Sequence, residues 1–317
     1  MGYILTDKNG NRIVSPANYA ATDEQVYEQL ERLLEEGKIS GSNNSRDTLI
    51  RGISIEYGRL NGSSFYFARI PQFDLEGKKV TPKVAITSAD GLVDGAKISA
   101  LDYAKREKTA FCVNASLFNT NTSKPEGQLV INGVDKTAYK TDSSGKKYAW
   151  MDSDMGTAIS DTECYPLCID ANGKLSTPYT DRKTDAAQPS ALIEAGYKYA
   201  VTAWGTIIDN YKSTTADTWD EIVHKDKKVV RQVIGQFQNG DYFVCSFDGI
   251  KGAVTVNEAG MDYDTIATFL ISKGVRFAYS LDGGGSCETT IGDRQINPIF
   301  EGSTGRKVAT VIYFSAD

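Results

Sequence analysis

Residues 275–286 read VRFAYSLDGGGS, a strand-like segment that ends in an acid followed by three glycines. Residues 275–281 are predicted to form a strand. Consecutive glycines allow positive φ and a close approach of ligand to backbone, and successive N–H groups in such a turn can hold an anion. We therefore expect an anion-binding turn beside Asp282, with the Ser286 hydroxyl just beyond. A glycine-rich hairpin in which Asp282 only caps a turn is the alternative, and these residues alone leave both open.

The rest of the chain contains more strand patterns than helix patterns. Helices are predicted at residues 99–107 and 262–272, the second with Gly274 as its cap. Because strands outnumber helices and do not alternate strictly with them, we expect an α+β fold with mixed, largely antiparallel sheets and flanking helices. Further strands are predicted at residues 49–57, 64–70, 79–87, 110–115, 128–131, 199–202, 228–236, 242–246, 252–255, 289–291 and 307–314.

Residues 1–47 differ from residues 48–317, which we interpret as the main domain. A helix is predicted over residues 23–36, with Thr22 as its cap, and residues 41–45 have the composition of a linker. This helix would either pack on the main domain, or associate with copies of itself or with a larger assembly. One short apolar stripe does not distinguish these two roles.

Bulk properties disfavour several classes of protein. The 317 residues carry a net charge of −6, whereas a nucleic-acid binder normally presents a basic face. No apolar stretch approaches the length of a membrane span, so we expect no membrane insertion. The start of the chain lacks the basic and apolar segments of a signal peptide. We therefore expect a protein made in the cytoplasm.

The cysteines and the single histidine do not indicate a metal or a cofactor. The five cysteines, at positions 112, 164, 168, 245 and 287, are scattered and odd in number, which predicts reduced thiols. His224 lies in a charged segment, so we expect neither a Ser–His–Asp triad nor a histidine metal site. The known phosphate-loop motifs do not match. The remaining acid–base candidates are carboxylates, which favours glycoside-type chemistry.

The LDGGGS block at residues 281–286 resembles the signature of the phosphodiester glycosidase family. Weaker pieces agree with the family in order and spacing over about residues 80–317: they are residues 114–118, 125–127, 231–235 and 247–249, then Gly260, Asn297 and residues 306–308. Two departures are visible. Ser116 stands where the family usually has glycine, and Cys287 and Glu288 stand where small or apolar residues are commoner.

This resemblance implies hydrolysis of the glycosidic bond of a sugar attached to a phosphodiester. It implies Asp282 as the leading catalytic carboxylate, with Asp248 and Glu288 as weaker second candidates. Phosphate binding is expected at Arg231 and at the N–H groups of the glycines, with a further hydrogen bond from Ser286. Asn114 is expected to bond the sugar or the phosphate. The three glycines are Gly283, Gly284 and Gly285.

Other functions remain open at this level. A non-catalytic carbohydrate-binding or structural component of a phage tail or baseplate would suit the composition and the short N-terminal helix. A virion-associated enzyme that trims teichoic acids or other phosphate-linked surface sugars combines both ideas. A cytoplasmic sugar-nucleotide hydrolase is the third alternative.

Overall fold

The computed structural model describes residues 45–141, 143–145, 147–149, 165–178, 188–215, 228–248, 260–298 and 305–316. The helix predicted at residues 23–36, the strand predicted at 252–255, His224 and Cys164 lie outside these ranges.

Four α-helices occur in these ranges, and local sequence explains how two of them begin. They are α1 (Ser45–Gly52), α2 (Ala100–Glu107), α3 (Pro189–Glu194) and α4 (Tyr263–Ser272). The Ser99 hydroxyl accepts a hydrogen bond from the Asp102 N–H and so caps α2. Asp262 caps α4 in the same way, by accepting from the Thr265 N–H. Such caps satisfy N–H groups that have no partner within a helix.

The strands form three large sheets and one hairpin. In chain order they are β1 (Ser54–Leu60), β2 (Ser63–Ile70), β3 (Val80–Ile86), β4 (Phe111–Asn114), β5 (Leu129–Ile131), β6 (Val134–Asp135), β7 (Tyr139–Thr141), β8 (Lys147–Ala149), β9 (Pro166–Asp170), β10 (Leu175–Ser176), β11 (Tyr197–Thr202), β12 (Gly205–Asp209), β13 (Lys212–Ser213), β14 (Arg231–Phe237), β15 (Tyr242–Phe247), β16 (Val275–Ser280), β17 (Thr289–Ile291), β18 (Arg294–Gln295) and β19 (Thr310–Ala316).

The largest sheet has seven strands in the order β1-β2-β15-β14-β16-β12-β13. Two five-stranded sheets have the orders β10-β9-β11-β5-β6 and β18-β17-β4-β19-β3, and β7 pairs with β8. The neighbouring strands of the seven-stranded sheet are antiparallel. The expected α+β fold with largely antiparallel sheets is therefore confirmed.

The core lies between layers. One face of the seven-stranded sheet, with Ile234 and Tyr279, packs against apolar side chains of both five-stranded sheets. Its other face, with Val233 and Ala278, packs against α4. Helix α2 covers β4 and β19, and α3 packs on the other five-stranded sheet. Burial of both faces explains why strand β15, with the sequence YFVCSF, is almost continuously apolar.

Two details of the sequence prediction are wrong. Residues 49–52 lie in helix α1, not in a strand, and strand β1 begins only at Ser54. The helix forms here because Leu49 is fully buried in the main core and the Thr48 hydroxyl donates to Asp74 over 2.6 Å. The sequence also did not predict helix α3 or the short strands β6, β7, β8, β10, β13 and β18. It missed β9 and β12 as well, which begin at proline and glycine, residues that normally interrupt strands.

Among the described helices, none is long and apolar enough to cross a membrane.

Candidate active site

The ends of three strands meet at one edge of the seven-stranded sheet. Strand β14 begins at Arg231, which pairs with Phe247 at the end of β15. The same strand pairs with β16 through Val233 and Ser280. Because both partners are antiparallel to β14, the residues that follow them, Asp248 and Asp282, emerge at the edge where Arg231 begins. The fold thus brings together three of the residues singled out from the sequence.

The glycine loop is held tightly against the start of β14. The N–H groups of Leu281 and Gly284 donate to the carbonyl oxygens of Gln232 and Val230, each over 2.8 Å. A Cβ atom on Gly283 would lie 2.6 Å from the Val230 oxygen, so this position has no room for a side chain. Gly284 has a φ of 59°, in the left-handed region that favours glycine. Two of the three glycines therefore serve a close approach of backbone to backbone.

The expected row of three anion-binding N–H groups is not formed. The Gly283 N–H donates to Oδ1 of Asp282 over 2.9 Å, and the Gly284 N–H is used by Val230. Both donors are directed within the protein because the loop closes on β14. Gly285 is the member of the trio that is left as a candidate donor.

Asp282 combines partial burial with a specific set of partners. Burial raises the pKa of its carboxyl group to about 6, against the opposing effects of a hydrogen bond from Ser286, the positive charge of Arg306 and the Gly283 N–H. Its main-chain N–H donates to the Ala115 carbonyl over 3.0 Å. A carboxyl group with a pKa close to neutrality is suited to proton transfer in a hydrolytic reaction.

Arg306 is a site residue that the sequence did not identify as functional. Its Nη1 donates to the buried Ser286 hydroxyl over 3.3 Å, and Arg306 itself is part-exposed. The sequence placed residues 306–308 among the weaker pieces that resemble the family, but it assigned Arg306 no role. Its contact with the loop joins residues 20 positions apart, and no local pattern reveals such a contact.

Arg231 is buried below the sheet edge. It is 3% exposed, and its guanidinium lies 4.0 Å from the centroid of the Tyr263 ring. Nη1 donates to the Tyr263 hydroxyl over 3.0 Å, and that hydroxyl is 2.7 Å from Oγ of Ser280. Burial lowers the pKa of Arg231, although an arginine remains charged at neutral pH. Arg231, which the sequence predicted to bind phosphate, thus contacts α4 through Tyr263, whose hydroxyl in turn reaches Ser280 of β16.

Cys287 lies within the electrostatic reach of both aspartates. Burial raises the pKa of its thiol, and the negative charges of Asp282 and Asp248 raise it further, whereas Arg231 opposes them. Asp248 is itself buried, with its main-chain N–H donating to Ser64. Cys287, one of the departures from the family pattern, is therefore an un-ionised thiol that senses the charges of Asp282, Asp248 and Arg231.

The Asn114 side chain is enclosed and bonds to the main chain of the glycine loop. It is 0% exposed, and its Nδ2 donates to the main-chain oxygen of Asp282 over 2.8 Å. Its Oδ1 accepts from the Glu288 N–H over 3.1 Å. These bonds join β4 to both ends of the glycine loop. In this structure the enclosed Asn114 side chain acts as a structural clamp, and the sugar or phosphate contact expected from the sequence stays a prediction.

Glu288 is held at the start of helix α2. Its Oε2 accepts hydrogen bonds from the N–H groups of Ala100 and Leu101, over 2.6 and 3.2 Å, and so caps helix α2. The charged side chains around it are Asp102 and Lys105 of the same helix, and burial raises the pKa of Glu288 to about 7. In this structure its carboxylate is engaged by helix α2, and its role as a weaker second catalytic candidate stays a prediction.

The other departure from the family pattern is accommodated by one residue. Ser116 is buried, its hydroxyl accepts from Thr310 over 2.7 Å, and its N–H donates to the Thr310 hydroxyl over 2.9 Å. A serine fits this loop because β19 supplies a matching hydroxyl.

Two further features complete the description. Within the described ranges, no group of three or more His, Cys, Asp or Glu side chains is arranged to hold a metal ion, and the four cysteines there, at 112, 168, 245 and 287, are buried and free. Two clefts of about 540 and 500 Å³ lie away from Asp282, at the Glu56–Lys273 ion pair and beside α4.

The chain is similar in sequence to known proteins. The family model "Phosphodiester glycosidase" matches residues 107–315. The SPbeta prophage-derived uncharacterized protein YomE of Bacillus subtilis strain 168 is 26% identical over 208 residues, which are 64% of this chain and 28% of that protein. The chain thus spans less than a third of that relative's length.

Solved structures share the fold. The zebrafish N-acetylglucosamine-1-phosphodiester α-N-acetylglucosaminidase catalytic domain, auto-inhibited by its pro-peptide, has a TM-score of 0.59 at 16% identity, covering 84% of this chain and 82% of that one. A hypothetical protein from Synechocystis has a TM-score of 0.56 at 13% identity, covering 84% and 62%. At these identities the structures show the fold alone. Because the family model spans more than half of the sequence, the chain belongs to the phosphodiester glycosidase family.

Proposed function

We propose that this protein hydrolyses the glycosidic bond between a sugar and a phosphodiester group, and that Asp282 is the catalytic carboxylate. The observation that carries the proposal is the environment of Asp282. In a chain of this family, a part-buried carboxyl group with a pKa raised to about 6 stands at the converging strand ends, bonded by Ser286.

The chemistry needs few groups. Water attacks the anomeric carbon, the bond from that carbon to the phosphate oxygen breaks, and the oxygen leaves as part of a phosphomonoester. Phosphate is a stable leaving group, so a strong general acid is less necessary than in other glycosidases. A carboxylate is required to accept the proton of the water or to stabilise positive charge at the sugar carbon. Asp282 fills this role in the proposal.

Asp248 and Arg231 are assigned supporting roles. Asp248 follows the end of strand β15. Its negative charge raises the pKa of the Cys287 thiol, as that of Asp282 does, whereas the positive charge of Arg231 lowers it. Burial disfavours the ionised form of Asp282, whereas the Ser286 hydroxyl, the Arg306 guanidinium and the Gly283 N–H favour it. We propose that these three groups keep Asp282 ionised at neutral pH, while Asp248 and Arg231 complete the charged surroundings of the neighbouring Cys287 thiol.

The proposal is tested with a panel of sugar phosphodiesters and nucleotide sugars, by measuring free sugar. We expect release from sugar phosphodiesters and its loss in Asp282→Asn. Asp293→Asn, which alters an exposed acid paired with Arg46, is the control and should keep full activity. Full activity in folded Asp282→Asn would remove Asp282 from the mechanism. Release from nucleotide sugars alone would favour the sugar-nucleotide hydrolase.

The prophage origin of the YomE relative supports one natural setting for this activity. We propose a phage-associated enzyme whose substrate is a phosphate-linked surface polymer of the teichoic-acid type. The competing role is a structural or carbohydrate-binding component with the same fold. Binding to purified cell-wall polymer without released sugar would favour that role. A trimer in light scattering that depends on residues 1–47 would support assembly into a tail.

A further inference from the structure

The two arginines of the site lie in different environments. Arg231 is almost completely buried against Tyr263. Arg306 is part-exposed and donates to Ser286, the residue whose hydroxyl bonds to Asp282. A substrate that reaches Asp282 from solvent would therefore meet the guanidinium of Arg306 before that of Arg231.

The position of Arg306 is built into the fold. Gly305 has a φ of 75°, and a Cβ atom there would lie 2.6 Å from Oε1 of Glu288. Glu288 is itself fixed by its two hydrogen bonds to the start of α2. On the other side, Val308 donates to the Ile98 carbonyl over 3.1 Å. The backbone on both sides of Arg306 is thus held, which directs its side chain to the glycine loop.

A phosphodiester substrate makes a cation necessary here. The phosphodiester carries one negative charge, and it must approach the carboxylate of Asp282, which has the same sign. Arginine matches the geometry of phosphate oxygens through its planar set of N–H donors. A hydroxyl beside it can contribute a further hydrogen bond. Ser286 and Arg306 supply these two groups on the side of the loop that carries the carboxyl group.

We propose that Arg306, together with the Ser286 hydroxyl, recognises the phosphate of the substrate and makes the enzyme selective for sugars with an anionic leaving group. This inference rests on the proposed function. It differs from the expectation drawn from sequence, which assigned the phosphate to Arg231. In this arrangement Arg231 acts as a buried counter-charge and does not contact the substrate.

The test compares Arg306→Gln with the wild-type protein on a sugar phosphodiester and on a nitrophenyl glycoside of the same sugar, which is neutral. Loss of a hydrogen bond to a charged group corresponds to a roughly ten- to hundredfold loss of binding or rate. At a pH well above the Asp282 pKa of about 6, where Asp282 is ionised in both proteins, we expect a fall in kcat/KM of about that size on the phosphodiester only. Lys307→Gln, which removes the neighbouring exposed charge, should change neither rate. Arg306→Lys should recover part of the loss.

A second measurement separates this inference from the proposed function. Binding of inorganic phosphate is measured by calorimetry for wild type, Arg306→Gln and Lys307→Gln, each first shown to be folded by circular dichroism. If Arg306→Gln binds phosphate more weakly than wild type and Lys307→Gln binds it as tightly as wild type, the anion site is supported even if no substrate is turned over. Unchanged phosphate binding, or equal losses on the charged and neutral substrates, overturns the assignment to Arg306.

Discussion

The side-chain amide of Asn114 donates a 2.8 Å hydrogen bond to the main-chain carbonyl oxygen of Asp282. The same side chain accepts a hydrogen bond from the N–H of Glu288. Asn114 thus holds the two ends of the glycine loop at a fixed separation, from a strand of another sheet. The position of the proposed catalytic carboxylate depends on this clamp, whose side chain has no contact with solvent.

Asn114→Ala should therefore reduce both stability and turnover. Two buried main-chain groups lose their partner, at a cost of about 1–3 kcal/mol in the free energy of unfolding. We also expect kcat to fall, because Asp282 is no longer held in place. Thr48→Val, which removes the buried hydrogen bond to Asp74 in helix α1, is the control for destabilisation. If both variants lose stability alike and both keep kcat, Asn114 does not position the carboxylate.

The pH dependence of the reaction should follow Asp282. Since burial raises the pKa of this carboxyl group to about 6 and the proposed mechanism needs the ionised form, kcat/KM should fall as the pH decreases through about 6. In Arg306→Gln the lowering effect of the guanidinium is lost, so the midpoint should move to higher pH. A pH–rate profile of both proteins checks this, and a midpoint that stays in place would contradict the coupling.

Glu288 should make folding stability pH-dependent in a defined direction. Its pKa is about 7 in the folded protein and 4.5 in the reference state, so its contribution to stability is fully present below about pH 4.5 and is lost as the pH rises through about 7. The loss is up to roughly 3 kcal/mol. Glu288→Gln should be less sensitive to pH between about 5 and 8 in urea unfolding. Parallel curves for the two proteins would show that the buried carboxyl group does not titrate here.

Gly283→Ala tests the close approach of the loop to β14. The new Cβ atom would lie 2.6 Å from a main-chain oxygen that has no freedom to move away. We expect a loss of about 1–3 kcal/mol in unfolding free energy and a displaced loop with low activity. Gly133→Ala places a Cβ in open space at positive φ, so it measures backbone strain alone, about 1 kcal/mol. A smaller effect at Gly283 than at Gly133 would contradict the packing described.

Several elements follow from local sequence. Ser99 and Asp262 cap the helices they precede, and Asp282 stands at the end of the predicted strand beside Ser286. These features depend on neighbours within a few residues. Helix α1 was not predicted because Leu49 and Ile50 also fit a strand pattern, and only the contact of Thr48 with Asp74 distinguishes the two.

The rest of the site depends on contacts between distant parts of the chain. Asn114 meets Asp282 across 168 positions, and Glu288 meets Ala100 across 188. Sequence indicated that both residues are polar neighbours of predicted strands, but it could not indicate which way they face. The glycines were expected to bind an anion because successive main-chain N–H groups in a glycine-rich turn can hold one. Their actual neighbour is the β14 backbone, which the sequence does not place beside them.

Cleavage of a sugar phosphodiester in water enriched in the heavy oxygen isotope tests the central claim most directly. If water attacks the anomeric carbon with the help of Asp282, mass spectrometry will find the released phosphomonoester without the label, and Asp282→Asn will release none. A phosphomonoester that carries the label would mean that water attacks phosphorus, and the assignment as a glycosidase would be wrong.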